Sequence, residues 1–357
     1  MKKKLLLTLM SFVILYPAFA QTDSISFEGS YRHFRFHLPV AYDASIDYPL
    51  MLILHGNGST AEEMEFYSQM NTVADTSGFI VVYPDGINNT WNSGFNLPYN
   101  SGTNDVGFIS ALIDSIGSDY SVNLNRVYAC GMSMGGFMSF RLGCELNHKV
   151  AAIGSVTGLM SAFTAANCQH DFKMPVVFFH GTDDATVDYN GTAAFAGAEA
   201  NALWWAEKND CETSPEVTDL PDLVNEGSTV TTIHYNDCPG QSEVLLYKVV
   251  NGGHSWPGAI AIPSLGNTNK DIHASIELWK FFDKHKLITT SIAVNESQSA
   301  PNIFPNPFID QLQLKHIENV KLIEVFDWSG RKIYTANNVK NQTHINLQGY
   351  SNGLYFV

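Results

Sequence analysis

The stretch Arg126-Val-Tyr-Ala-Cys-Gly-Met-Ser-Met-Gly-Gly136 decides the fold of this chain. Its first half is an apolar run typical of a buried strand, and a segment of helical length follows it. Ser133 stands between them, with a glycine two residues away on either side. A tight turn from strand to helix projects a serine hydroxyl at the end of a sheet, a geometry known as the nucleophile elbow. The stretch therefore predicts a sheet covered by helices, with a reactive serine at its edge.

The same alternation of strand and helix extends over residues 21–287. Apolar runs typical of strands covered on both faces recur at 31–37, 48–54, 78–83, 126–130, 150–156, 175–179 and 244–250. Segments of helical length separate them, at about 60–76, 105–119, 135–147, 193–208 and 270–285. This order predicts an α/β fold with a mostly parallel sheet and helices on both faces. Ligand sites in such sheets lie at the carboxyl ends of the strands.

A serine nucleophile needs a general base and an acid that orients the base. In this architecture the acid follows the serine in the chain and the histidine comes last. The strand at 175–179 is followed by Asp183, Asp184 and Asp188, of which we favour Asp184 as the acid. Each carboxylate has the alternative role of capping backbone N–H groups in a turn.

The histidine that fits this order is His254, in the loop Asn251-Gly-Gly-His-Ser-Trp-Pro-Gly258 after the last strand. The reaction also needs two backbone N–H groups directed at the developing negative charge. We expect one from Met134, directly after the serine, and the other from Asn57 in the loop after Leu54. The predicted machinery requires no cofactor, and no His, Cys or Glu partners stand at metal-ligand spacing from the histidines of these loops.

A long loop, Gly86–Asn104, has 19 residues, six of them asparagine, and shows no periodicity. Loops of this length in a compact domain are usually functional. Trp91, Phe95 and Tyr99 lie in it, and Trp256 lies two residues after His254. These rings are candidates for contact with substrate, and the alternative is that they pack the loop against the core.

The N-terminal end has the pattern of a secretory signal peptide, residues 1–20. Three lysines precede an apolar segment of about a dozen residues, which is too short to span a bilayer, and Ala18-Phe-Ala20 provides a cleavage site. The alternative is an N-terminal membrane anchor. No other apolar run reaches membrane-spanning length, so we expect a secreted or surface-attached protein.

The composition changes again near residue 288. Residues 288–302 are small and polar, as in a linker, and short alternating strands follow over 303–357. This tail resembles the type A sorting domain of the type IX secretion system, on Phe304-Pro-Asn-Pro-Phe308, Val325-Phe-Asp327 with Gly330-Arg331, and Gly353-Leu-Tyr-Phe-Val357. The resemblance implies the type IX machinery as a partner, and by its pattern the domain looks truncated. The alternative is a small carbohydrate-binding β-sandwich.

Charge and cysteine content bound the remaining possibilities. The chain has 357 residues with 20 Lys+Arg against 35 Asp+Glu, a net charge of −15, which becomes −18 (17 against 35) without the three lysines of the signal. This balance excludes nucleic-acid binding as a default. Two cysteine pairs are close in sequence and fit disulfides in an oxidising compartment, namely Cys144–Cys168 and Cys211–Cys238, whereas Cys130 is expected to be a buried free thiol.

Several segments between Leu54 and Gly258 together resemble carbohydrate esterase family one, which includes secreted feruloyl and acetylxylan esterases, and its polyhydroxybutyrate-depolymerase-like relatives. The matching segments are Leu54-His-Gly56, Tyr83-Pro-Asp-Gly86, Trp91-Asn92, Asp105-Val-Gly-Phe-Ile109, Gly131-Met-Ser-Met-Gly-Gly136, His180-Gly-Thr-Asp-Asp184 and Gly252-Gly-His-Ser-Trp-Pro-Gly258. The resemblance implies an α/β-hydrolase fold, a Ser133–Asp184–His254 triad and the Cys211–Cys238 pairing.

The function expected from this resemblance is a serine carboxylesterase acting on feruloyl or acetyl groups of plant polysaccharide. A polyhydroxyalkanoate depolymerase is the alternative, although such enzymes often carry extra substrate-binding modules. A surface binding protein on an inactive hydrolase scaffold is a third possibility, against which the complete triad argues.

Overall fold

The computed structural model describes residues 21–95, 97–98, 100–168, 173–287, 302–304, 310–315, 320–337, 344–350, 353 and 355–356. The predicted signal peptide, residues 288–301 of the predicted linker, and Tyr99 lie outside these ranges. The chain divides into two compact units between Ile288 and Thr289.

The first unit is built on one ten-stranded sheet. Its strands are β1 (Gln21–Phe27), β2 (Ser30–His37), β3 (Tyr48–Leu54), β4 (Ile80–Pro84), β5 (Val122–Met132), β6 (Ala152–Val156) and β7 (Val176–Gly181), then, after a short hairpin of β8 (Gly191–Thr192) and β9 (Phe195–Ala196), β10 (Glu216–Asp219), β11 (Thr229–Tyr235) and β12 (Val244–Val250). The spatial order is β1-β2-β4-β3-β5-β6-β7-β12-β11-β10. The six central strands are parallel, and two antiparallel strands flank them on each side.

Seven α-helices accompany the sheet: α1 (Ala61–Ser68), α2 (Met70–Ser77), α3 (Asp105–Asp119), α4 (Met134–Glu145), α5 (Ala162–Asn167), α6 (Ala198–Lys208) and α7 (Ala274–Phe282) within the described ranges. The sheet is buried on both faces, as β3 illustrates. Leu50, Leu52 and Leu54 lie in one apolar cluster, whereas Met51 and Ile53 lie in a second, and all five are inaccessible to solvent. The predicted α/β-hydrolase sheet is confirmed.

Two predicted helices differ from the observed ones. The segment 60–76 forms two helices because Gln69 adopts a left-handed conformation (φ 55°, ψ 24°) that ends α1. The segment 193–208 is helical only from Ala198, because the hairpin of β8 and β9 occupies residues 191–196 and pairs Thr192 with Phe195. The edge strands β1 and β10, together with β11 and α5, were not predicted.

The second unit contains short antiparallel strands: β13 (Asn302–Phe304), β14 (Gln311–Lys315), β15 (Leu322–Asp327), β16 (Lys332–Asn337), β17 (His344–Asn346) and β18 (Tyr355–Phe356). They form two three-stranded sheets, β13-β14-β17 and β16-β15-β18. Alternating apolar residues of these strands are buried in one cluster, comprising Leu312, Leu314, Ile323, Val325, Ile345 and Leu347. The predicted small all-β domain is confirmed.

Candidate active site

Ser133 lies in the turn between β5 and α4 with φ 55° and ψ −119°, a combination that is strained for a residue with a side chain. Its N–H donates to the carbonyl of Val156 (2.9 Å), which ties the turn to the neighbouring strand. A Cβ atom on Gly135 would lie 2.1 Å from the Leu54 carbonyl oxygen, and one on Gly131 would lie 2.6 Å from it. The glycines around the serine are therefore required because α4 approaches β3 closely.

His254 and Asp184 meet in the loops after β12 and β7. The Nδ1 atom of His254 lies 2.7 Å from Oδ2 of Asp184, and both residues are about 6% exposed. Because an ionised carboxylate only accepts hydrogen bonds, Nδ1–H is the donor, which leaves Nε2 unprotonated in the neutral ring. A histidine in this tautomer is equipped to take a proton from a serine hydroxyl.

Asp184 is held from both sides of its carboxylate. Oδ1 accepts backbone N–H bonds from Thr186 and Val187, both at 2.8 Å. Burial raises the pKa of Asp184, but the hydrogen bond and charge of His254 outweigh it, together with the Val187 N–H, so that the pKa lies below its ordinary value. The acid is therefore ionised at neutral pH.

The other two candidate carboxylates contact groups other than His254. Asp183 is exposed and accepts from the Thr182 hydroxyl (3.2 Å), and exposed Asp188 accepts from the N–H of Asn190 (2.8 Å). Of the three, Asp184 is the one that the structure brings to the histidine.

A second histidine, His180, stands behind the acid and was not singled out from the sequence. His180 is fully buried. Its Nε2 atom lies 2.8 Å from the Val187 carbonyl oxygen and 3.6 Å from Oδ2 of Asp184. Burial lowers the pKa of His180, so the neutral ring donates from Nε2 to Val187. His180 thereby fixes the loop whose N–H groups hold Asp184.

The residues proposed for the oxyanion site approach Ser133 from two elements. Met134 is the first residue of α4, where backbone N–H groups lack helical acceptors. Asn57 follows β3 and lines the same cavity as Ser133 and His254. The loop of Asn57 is fixed by His55, which accepts from Gly86 N–H at Nε2 (2.9 Å) and lies 2.7 Å from the Gly56 carbonyl oxygen at Nδ1.

Two of the aromatic candidates for substrate contact are corrected by the structure. Trp91 is fully buried and its Nε1 donates to the His55 carbonyl (2.9 Å). Trp256 is also fully buried and its Nε1 donates to the Ser275 hydroxyl (3.1 Å). Both rings are packed into the protein interior, where their indole N–H groups are satisfied by hydrogen bonds. Phe95 is partly buried and packs edge-on against Phe137, with ring centroids 4.7 Å apart.

A cavity of about 840 Å³ opens beside Ser133 and His254. One wall comes from α1 and includes Met64 and Tyr67, and another comes from Ile260, Ile262 and Leu265. Neither wall was predicted, because α1 and the segment 260–265 carry no motif and reach the serine only through the packing of the folded chain.

The long loop 86–104 is fastened by a buried ion pair. The Asp105 carboxylate accepts from the Arg32 guanidinium (2.9 Å), from the N–H of Asn92 (2.8 Å) and from the Thr103 hydroxyl (2.8 Å). Asn92 and Thr103 lie toward opposite ends of the loop, so one carboxylate closes it. The described part of the loop is therefore a structural strap, held to β2 through Arg32.

The structure joins Cys144 to Cys168 and Cys211 to Cys238, and leaves Cys130 as a buried thiol. In the described part of the chain, no group of three or more His, Cys, Asp or Glu residues is arranged to hold a metal ion. No helix in the described ranges combines the length and apolar character needed to cross a membrane.

Comparison with known families identifies the class of protein. Residues 26–236 match a family model described as "Putative esterase". This match covers more than half of the chain, so the chain belongs to that esterase family, as its resemblance to carbohydrate esterase family one implied. Residues 302–357 match the secretion system C-terminal sorting domain. This confirms the sorting domain and indicates type IX secretion to the cell surface or the extracellular space.

Three individual relatives show how far the sequence similarity extends. The chain is 28% identical over 209 residues to the bifunctional acetylxylan esterase/xylanase XynS20E of Neocallimastix patriciarum, and 31% identical over 227 residues to feruloyl esterase B of Piromyces equi. In each case 58% of this chain is covered, but only 29% and 39% of the respective relatives. Feruloyl esterase D of Neurospora crassa is 25% identical over 278 residues, which cover 74% of this chain and 86% of the relative.

A solved structure shares the fold. The acetyl xylan esterase from Aspergillus awamori superimposes with a TM-score of 0.54 at 14% identity, over 74% of this chain and 99% of that one. At this identity the likeness concerns the fold alone.

Proposed function

We propose that the protein is a secreted serine carboxylesterase that removes feruloyl or acetyl groups from plant cell-wall polysaccharide. The observation that carries the proposal is the 2.7 Å hydrogen bond from His254 to Asp184, because His254 lines the same cavity as the strained Ser133. A serine, a histidine in the correct tautomer and a buried ionised acid together make the set of groups that acyl transfer needs.

The proposed reaction has two halves. In the first, Nε2 of His254 takes the proton of the Ser133 hydroxyl while Oγ attacks the ester carbonyl carbon. The N–H groups of Met134 and Asn57 stabilise the oxyanion of the tetrahedral intermediate. When the intermediate collapses, the C–O bond of the ester breaks, and His254 returns the proton to the departing alcohol.

In the second half, water attacks the acyl-enzyme. His254 accepts a proton from the water, whose oxygen bonds to the acyl carbon, and then returns the proton to the Ser133 oxygen as the acid leaves. In both halves Asp184 stabilises the imidazolium without being protonated. Its lowered pKa supports this role, because the carboxylate keeps its charge at neutral pH.

The substrate class rests on the cavity and on the relatives. A volume of about 840 Å³ lies in the range of small-molecule sites, and much of the wall is apolar, including Met64, Ile262 and Leu265. Such a wall suits an aromatic acyl group. Relatives named as feruloyl and acetylxylan esterases support the same assignment. Export through a secretion system also fits a polymeric substrate, which cannot enter a cell.

The substrate assignment is tested with three esters: methyl ferulate, acetylated xylan and a hydroxybutyrate polymer. We expect hydrolysis of at least one of the first two, measured as released ferulate or acetate. Hydrolysis of the polymer alone would replace the proposed substrate with a polyhydroxyalkanoate. Hydrolysis of none of the three would reject the esterase function.

A further inference from the structure

The charges that line the cavity are of one sign. The acidic side chains that line it in the described residues are Glu62 and Glu63, both exposed and both in the first turn of α1. No lysine or arginine stands among the described residues that line it. An ester that enters the cavity therefore meets two carboxylates without a compensating cation.

In the described part of the chain, local contacts do not pair either of these glutamates with a cation. Glu63 accepts a hydrogen bond from the Ser59 hydroxyl (2.8 Å), which does not neutralise it. Among the described residues, neither Glu62 nor Glu63 forms an ion pair, whereas Glu65 on the same helix pairs with Arg35 at 2.5 Å. The field of Glu63 reaches the interior, where its charge acts to raise the pKa of His55 against the larger effect of burial.

A local structural role accounts for only part of this arrangement. Acidic residues in the first turn of a helix interact favourably with its dipole, and Thr60 caps α1 by accepting from the N–H of Glu63. That role requires a charge near the helix end, but it does not require two glutamates lining the cavity that also contains the serine and the histidine.

We propose that Glu62 and Glu63 select uncharged esters and promote departure of the acid product. This inference rests on the proposed function. Hydrolysis adds water to a neutral ester and yields an alcohol, a carboxylate and a proton. The transient oxyanion of the intermediate is balanced by the protonated His254, so a ligand with an uncompensated negative charge occupies the cavity only as the acid product. The two carboxylates repel this product and not the ester. The same repulsion excludes esters that already carry a carboxylate.

The expected size of the effect follows from Coulomb's law. At the dielectric constant of water, Coulomb's law gives about fivefold weaker binding of an anion when two carboxylates lie at a separation on the order of 8 Å from it, and a larger effect where solvent is excluded. Because the carboxylates are exposed, salt should weaken the effect over a screening length of about 10 Å at 0.1 M.

The test compares a charged ligand with an uncharged ligand of the same shape. Binding of ferulate and of ferulamide is measured by calorimetry on Ser133→Ala protein, so that no turnover occurs, and again after adding Glu62→Gln and Glu63→Gln. We expect the ratio of the ferulate Kd to the ferulamide Kd to fall about fivefold in the triple variant. The matched control adds Glu207→Gln and Glu212→Gln, two exposed glutamates outside the cavity wall, and should leave the ratio unchanged.

An unchanged ratio in the triple variant would overturn the inference, as would failure of both ligands to bind. An equal fall in the control would also overturn it, because the effect would then reflect net charge. Failure of the proposed function gives a different result: Ser133→Ala would keep its turnover while the binding ratio still responded to the glutamates. In active protein, the Glu62→Gln/Glu63→Gln variant should show about fivefold stronger inhibition by ferulate.

Discussion

At the scale of the residue, the proposed chemistry depends on which oxygen faces which nitrogen. Asp184 uses one carboxylate oxygen for two backbone N–H groups and the other for His254. The first contact fixes the side chain, and the second fixes the histidine tautomer. Replacing the acid by its amide keeps the shape but allows the side-chain N–H₂ to face Nδ1, which favours the wrong tautomer.

We therefore predict that Asp184→Asn lowers kcat by about 10³- to 10⁴-fold with little loss of stability. The measurement is steady-state hydrolysis of methyl ferulate together with thermal unfolding. Asp183→Asn is the matched control and should remain close to wild type, because Asp183 is exposed and contacts Thr182. A large loss in Asp183→Asn and none in Asp184→Asn would reverse the assignment.

The buried position of Trp256 leads to a second prediction. Trp256→Phe removes the hydrogen bond to Ser275 and leaves space in the core, so we expect a loss of about 2–4 kcal/mol in the free energy of unfolding. The KM for methyl ferulate should not change, because the ring does not line the cavity. A raised KM with unchanged stability would instead identify the ring as a substrate contact.

At the scale of the element, the strap of residues 86–104 depends on the buried pair Arg32–Asp105. Asp105→Asn leaves the Arg32 guanidinium, whose side chain is 4% exposed, without its counter-charge. We predict a loss of about 3–5 kcal/mol in the free energy of unfolding, measured with urea. Asp114→Asn breaks an exposed pair with Lys149 and should cost less than about 1 kcal/mol. Equal effects of the two variants would show that the strap is not a stabilising element.

Sequence patterns predicted elements best where burial or motif chemistry dominates. The segment 105–119 is one helix with the predicted bounds, because apolar residues recur along it and Asn104 caps it. The edge strand β10 was missed because all four of its residues are exposed and carry no apolar pattern. The break between α1 and α2 at Gln69 was not predicted because no glycine or proline stands at that position.

Part of the candidate site could also be predicted from the sequence. The chain order of the architecture and the turn glycines indicated Ser133, Asp184 and His254, and the structure brings Asp184 and His254 into contact. The cavity walls and the buried positions of Trp91 and Trp256 depend on how distant segments pack, which a single sequence does not record. The position of His180 could have been recognised from the sequence, because this residue directly follows the predicted strand 175–179 and precedes the loop that contains Asp184.

At the scale of the whole molecule, a polar cluster joins the last helix to the sheet. Glu243, next to the start of β12, accepts from His234 of β11 (2.5 Å) and from His285 after α7 (3.0 Å). Burial raises the pKa of Glu243, but these hydrogen bonds and the charge of Lys284 outweigh it, so the pKa lies well below its ordinary 4.5. The folded state thus binds this proton more weakly than the unfolded state does.

A depressed carboxyl pKa contributes stability that is complete above the unfolded pKa and is lost as the pH falls toward the folded pKa. We predict that the free energy of unfolding decreases below about pH 4.5, and that Glu243→Gln reduces this slope, when both proteins are followed by urea unfolding at several pH values. The same slope in both proteins would show that Glu243 is not responsible for it.

The chain combines an esterase-family fold with a C-terminal sorting domain. We propose that residues 21–287 carry the activity and that residues 303–357 serve export. The two units share no predicted site residue, since each predicted site residue belongs to the first unit.

The central claim is that Ser133 is the nucleophile, and its most direct test is turnover of methyl ferulate by Ser133→Ala. We predict a fall in kcat of more than about 10³-fold, with an unchanged thermal unfolding profile because the alanine occupies the same turn. Turnover by Ser133→Ala close to that of the wild type would contradict the account.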